Sequence, residues 1–289
     1  MTSSIRQNAV VGFPLVRMVI GIAICLGLGL LGMQLTQLLL QHTSLPGDIR
    51  DPIAGTVFAI LVLVLYRALY QGYENREIAE LSTRQLGSVL TGGILLGFTI
   101  ASAVIAIQYL AHVYTIVATR SFAPVLPNLW STFVNATIAE IIIIGIVFRL
   151  VEDWLGSYLA LAILVVLFFI LHITAPGATP FSAFAVSMHA AFLLAPAYLF
   201  SRKLWLPVAI HFAWDFAFAG VYGAAVNQYT LDTSVFQSQI LGSDLLTGGY
   251  FGPQGSVQAA GLCLVTGFIF IRLAQRRGNI KSPLGHRPR

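Results

Sequence analysis

The chain has 289 residues, of which 57% are hydrophobic and only 9% charged, with a formal net charge of +5 and a mean hydropathy of +0.83. A soluble domain carries about 25% charged residues, so this composition excludes a soluble fold and reads as a polytopic, all-α integral membrane protein. The pI near 9.4 does not imply nucleic acid as a partner, because that requires a basic face on a folded domain, and here the basic residues cluster at the ends of apolar runs.

Apolar runs place about eight membrane helices, at roughly 16–40, 54–71, 88–115, 129–151, 155–174, 181–200, 204–225 and 256–274. The first run is too long for the core of a cleavable signal peptide, so none is expected. Cys25 and Cys263 fall in apolar spans and read as core packing. Pro46-Gly47, Pro124 with Pro127, and the stretch from Thr174 to Pro180 punctuate the joins. Between Gln71 and Gly87, Glu77 and Glu80 stand among helix formers, which reads as a cytoplasmic amphipathic segment or a solvated connector. From Asn227 to Gly255 there is no Lys or Arg, and Gly242, Gly248, Gly249, Gly252 and Gly255 fall close together. A phosphate cradle would need a strand-to-helix turn and a nearby Lys, and neither is evident. A re-entrant or capping loop is the expectation.

Placing the N-terminus in the cytoplasm puts 14 of the 16 Lys and Arg residues at or near the inner face. Only Arg50 and Arg120 fall outside. This bias supports both termini inside and an even number of spans, in one membrane domain covering residues 1–289. The expected partner is the lipid bilayer, and the expected location a plasma membrane of bacterial type. No internal repeat is visible.

Four polar groups interrupt the apolar spans: Glu140, His172, His211 and Asp215. An ionisable group in hydrocarbon costs at least ~2.5–3.5 kcal/mol on insertion scales, so it normally has a partner and a function. Arg149, nine positions after Glu140, lies about 13 Å further along the axis and cannot pair with it. The partner of Glu140 must come from another helix. His211 and Asp215 are four apart and share a helical face, where the carboxylate can fix the ring's tautomer. His172 ends an apolar run just before Pro176, Gly177 and Pro180; the helix should stop there, beside a wet pocket. His189 has no spaced partner and reads as a structural hydrogen bond. Two imidazoles and two carboxylates can bind a divalent metal, with Glu140, His172 and His211 as ligands. They can also relay protons, or activate a water for hydrolysis. Spacing does not choose among these.

From Trp130 to Gly255 the sequence resembles the CPBP family, the CAAX-protease and bacteriocin-processing (Abi) intramembrane proteases. The Phe-x-x-x-His motif matches at Phe168–His172, and the His-x-x-x-Asn/Asp motif at His211–Asp215. The Glu-Glu-x-x-x-Arg-Gly motif aligns with Ala139 to Gly145, retaining Glu140 and Gly145 but carrying Ala139 for its first Glu and Ile144 for its Arg. The resemblance implies a CPBP-like helical bundle with its motif-bearing core at residues 129–255. The implied activity is peptide-bond hydrolysis on a membrane-protein, prenylated or peptide substrate. Glu140 would be the acid/base, His172 its partner, and His211 with Asp215 the oxyanion-side pair. Ala139 stands where the family's base is expected, and losing such a base costs ~10²–10⁴-fold in rate. A catalytically inactive ligand-binding scaffold and a proton-coupled transporter are the alternatives. Straight helices would place His172 nearer the outer end than His211, so bringing them together takes either tilt or a short fifth helix that breaks early at Pro176.

Overall fold

The computed structural model describes residues 13–226 and 233–283. Among the described residues, eight apolar helical rods form the bundle: α1 (Pro14–Leu40), α2 (Gly47–Glu74), α3 (Leu86–Leu110), α4 (Ala123–Leu155), α5 (Ser157–Ile173), α6 (Pro180–Ser201), α7 (Trp205–Val221) and α8 (Val257–Arg276). Six helices are long and apolar enough to cross a membrane, while α5 and α7 are shorter. The chain is an integral membrane helical bundle.

Local chemistry sets the breaks. At the start of α6 the Thr179 hydroxyl accepts from the Ser182 amide (3.1 Å), and the Ser182 hydroxyl accepts from the Thr179 amide (3.0 Å). Pro180 occupies the first turn, where its missing N–H costs nothing. Helix α5 stops at Ile173, ahead of Pro176, as its sequence implies. Seventeen residues span about 25 Å, short of the ~30 Å hydrocarbon core.

The third apolar run is not helical to residue 115. Helix α3 ends at Leu110, and β1 (Tyr114–Thr119) pairs antiparallel with β2 (Phe236–Ile240) in the register Tyr114↔Ile240 and Thr119↔Phe236. This small sheet lies at one end of the bundle. Part of the glycine-rich segment caps the same end, as a 3₁₀ stretch over Gly249–Gly255 whose Phe251 is buried; residues 227–232 of that loop lie outside the described residues.

The opposite end is basic, and its charges are ordered. Arg149 is buried and donates through Nη1 to both oxygens of Glu74 (2.8 and 2.9 Å) and through Nε to the Gly145 carbonyl (2.9 Å). Arg17 and Arg76 also bond Glu74. Arg76 holds Glu80 through two 2.8 Å bonds, and the Tyr66 hydroxyl donates to Glu80 at 2.6 Å. Burial alone would raise the Glu80 carboxyl, but the bonds from Arg76 and Tyr66 and the charge of Arg149 override it, bringing it from 4.5 to about 2. The segment after α2 is therefore more than a solvated connector. It is a folded turn with one 3₁₀ turn at Ala79–Leu81, anchored by a buried carboxylate. A second group joins α4 to the α6–α7 turn and the C-terminal segment: Glu152, fully buried, accepts from Arg202 (2.7 and 2.9 Å) and from Ser157 (2.6 Å), and Lys281 reaches Asp153 (2.7 Å).

Two close approaches seat the helices that carry the polar groups. A Cβ at Gly97 of α3 would collide with the Ile210 carbonyl of α7, and one at Gly267 of α8 with the Phe192 carbonyl of α6. The absent side chains let the backbones meet.

Candidate active site

Glu140, on α4, is completely buried. Its partner comes from another helix, as its isolation in sequence requires: His211 Nδ1–H of α7 donates to Glu140 Oε1 at 2.7 Å. The other ring nitrogen, Nε2, lies 3.2 Å from Asp215 Oδ2. The i,i+4 spacing thus delivers the shared face that the sequence implies. The side chains of His211 and Asp215 keep 18% and 24% of their exposure, so the buried carboxylate connects to the outside through them. Glu140 Oε2 is buried and has no hydrogen-bond partner among the described residues. Glu140 makes no pair with Arg149, which is committed to Glu74.

His172 stands apart. Its Nδ1 lies 2.7 Å from the Phe168 carbonyl, an oxygen that only accepts, so Nδ1 carries the hydrogen and Nε2 of the neutral ring presents its lone pair. The ring stacks on Phe168 (5.6 Å) and meets Phe251 edge-on (5.3 Å). Among the described residues no hydrogen bond links it to Glu140, His211 or Asp215. The cause is height. Counted from the basic end at 1.5 Å per residue, His211 lies about 9 Å along α7 and His172 about 23 Å along α5.

His189 fills that interval, about 18 Å along α6 from the same end. Its ring stacks on Trp214 (4.7 Å) and meets His211 edge-on (5.3 Å), and both His172 and His211 lie within electrostatic range of it. Its Nε2 is buried without a hydrogen-bond partner among the described residues. Sequence reasoning left His189 as a structural group because it has no partner at helical spacing. The contacts that recruit it, Trp214 and His211, come from another helix.

Each of the three helices that carry Glu140, His189 and Asp215 departs from α geometry at that residue. Wider π turns run over Ile141–Phe148 directly after Glu140, over His189–Leu194 beginning at His189, and over Phe216–Val221 directly after Asp215. Such turns recur at functional sites because they redirect side chains that a regular helix would aim elsewhere. Four successive isoleucines, Ile141 to Ile144, whose β-branched side chains crowd a regular turn, begin the first of them.

The arrangement does not suit a divalent metal. Among the described residues no three His, Cys, Asp or Glu side chains are grouped as ligands. Glu140, His172 and His211 do not converge, since His211 spends both nitrogens on carboxylates and His172 lies higher in the bundle. The geometry suits proton handling instead: a carboxylate held by an imidazole that a second carboxylate orients, with one oxygen open.

Residues 121–217, which include Glu140, His172, His189, His211 and Asp215, match the family model described as Rce1-like, type II CAAX prenyl endopeptidase Rce1-like. No curated protein and no solved structure matches the chain at a significant level. Over residues 121–217, about a third of its length, the chain is therefore similar to the type II CAAX prenyl endopeptidases of the CPBP family.

Proposed function

We propose that the protein is a divergent CPBP-type intramembrane endopeptidase that hydrolyses a peptide bond of a membrane-inserted, prenylated or peptide substrate with water activated at Glu140. The observation that carries this reading is the Glu140 carboxylate, fully buried, with Oε1 held at 2.7 Å by His211 Nδ1 and Oε2 open. Burial strips the carboxylate of competing solvent and leaves Oε2 free to accept from a water. The water oxygen attacks the scissile carbonyl carbon and one of its protons passes to Glu140 Oε2, while His172 Nε2, higher in the bundle, is left to accept from an N–H of the substrate. The C–N bond then breaks, and the leaving nitrogen takes the proton from Glu140. His211, with both nitrogens against carboxylates, has no N–H to spare for an oxyanion. Its role here is to position Glu140, with Asp215 fixing the ring.

A second reading, a ligand-binding relative without turnover, is favoured by Ala139 at the place of the family's base and by Ile144, which is fully buried in apolar packing at the place of the motif Arg. By the positive-inside bias, the basic end faces the cytoplasm and both termini lie there. The test is cleavage of a prenylated peptide by the purified full chain in lipid nanodiscs. Slow cleavage that His172→Ala and Glu140→Gln both abolish, with helical content retained, supports the protease. Absence of cleavage in the wild-type chain supports the binding relative.

A further inference from the structure

The charges at the basic end are unevenly neutralised. Arg17, Arg76, Arg149, Arg202 and Lys281 are paired with Glu74, Glu80, Glu152 and Asp153. Among the described residues, no carboxylate pairs with Arg84, Lys203, Arg276 or Arg277.

Two of these cations, Lys203 and Arg277, line a cleft. A half-open cavity of about 380 Å³ lies between the start of α3, the α6–α7 turn and the end of α8. Lys203 and Arg277 line it with Ser88, and Arg84 and Arg276 adjoin its lining residues in the chain. The Arg277 guanidinium lies 3.9 Å from the Phe200 ring centre and donates to the Phe200 carbonyl (3.3 Å), while Lys203 donates to the Arg84 carbonyl. Both cations are thus held in place without being neutralised.

The same cleft runs into apolar depth. Leu96 lines it about 15 Å along α3 from the helix start, and Phe270 about 10 Å along α8 from its end, with Leu206 beside them. Fixed positive charge at the helix ends over an aliphatic and aromatic floor matches an anionic head joined to an acyl chain, not a soluble anion. Basic pockets between membrane helices bind lipid head groups in this way.

We propose that this cleft is a binding site for an anionic phospholipid of the inner leaflet, its phosphate between Lys203 and Arg277 and one acyl chain along Leu96 and Phe270. The site lies away from Glu140 and does not depend on the proteolytic reading. It is tested by native mass spectrometry of the detergent-solubilised full chain titrated with phosphatidylglycerol or phosphatidylcholine of matched chains. The first phosphatidylglycerol should bind about tenfold more tightly than phosphatidylcholine, given two unneutralised cations at the surface. That preference should vanish in Lys203→Gln/Arg277→Gln and persist in Arg120→Gln at the other end. Equal binding of both lipids by the wild-type chain would overturn the proposal, as would a double variant that keeps the preference. Displacement by glycerol phosphate at equimolar concentration would also overturn it, since the acyl chain would then contribute nothing. If the double variant misfolds, Lys203→Gln alone must reduce the preference about threefold, and an unchanged preference there counts against the site.

Discussion

Breaking the contact between Glu140 and His211 should have unequal consequences from its two sides. In His211→Leu the fully buried carboxylate loses its partner, and Asp215 loses the imidazole 3.2 Å away. Removing one member of a buried pair costs about 3–5 kcal/mol because it strands the other charge. In Glu140→Leu, His211 keeps Asp215 and its own partial exposure, so the cost should be smaller, about 1–3 kcal/mol. In the double variant nothing is stranded. Its destabilisation should fall short of the sum of the single effects by at least about 1.5 kcal/mol, the range found for residues in direct contact. The assay is denaturant unfolding of the four proteins in one detergent, followed by circular dichroism and fluorescence. Additivity within about 0.5 kcal/mol would show that the two side chains do not depend on each other, and the site as described would fail.

Other outcomes follow from the same structure. Ala139→Glu restores a carboxylate where the family places its base and should raise the cleavage rate, by up to about 10²-fold; a folded variant with an unchanged rate would show that position 139 does not reach the water. Ile144→Arg should not help, because it would bury a guanidinium in apolar packing. Glu80 titrates at about 2, below its ordinary 4.5, so the unfolded chain binds its proton more readily than the folded one. Its contribution, about 3 kcal/mol, should be present above pH 4.5 and be lost as pH falls toward 2. Glu80→Gln should lower stability at pH 7 and flatten the profile across that window in acid titrations. Gly97→Leu should drive α3 off the Ile210 carbonyl next to His211, costing about 1–3 kcal/mol and reducing activity; a variant equal to wild type in thermal melts and cleavage would show that the close approach is dispensable.

Much of this site could be read from residue order because its strongest constraints are local or compositional. Apolar runs long enough to cross hydrocarbon mark the helices. The four-residue step from His211 to Asp215 fixes a shared face. The lack of a cation within reach of Glu140 demands a partner from elsewhere, and the fold supplies His211. What escaped the sequence depends on contacts between distant segments. His189 enters through stacking on Trp214, 25 positions away, and through a π turn that no periodicity signals. Tyr114–Thr119 continues an apolar run, and only pairing with Phe236–Ile240 makes it a strand. Glu80 reads as a solvated acid until Tyr66 and Arg76 close over it. The separation of His172 from His211 is foreseeable from their positions along α5 and α7, and the end of α5 at Ile173 does not remove it.

The account rests on a buried carboxylate acting on water inside the bundle. Its most direct measurement is hydrolysis of a prenylated peptide in heavy-oxygen water by the wild-type chain and by Glu140→Gln, with the new carboxyl terminus analysed by mass spectrometry. The account predicts one heavy oxygen in the product of the wild-type chain and no product from a folded Glu140→Gln. A variant that cleaves at the wild-type rate would contradict it.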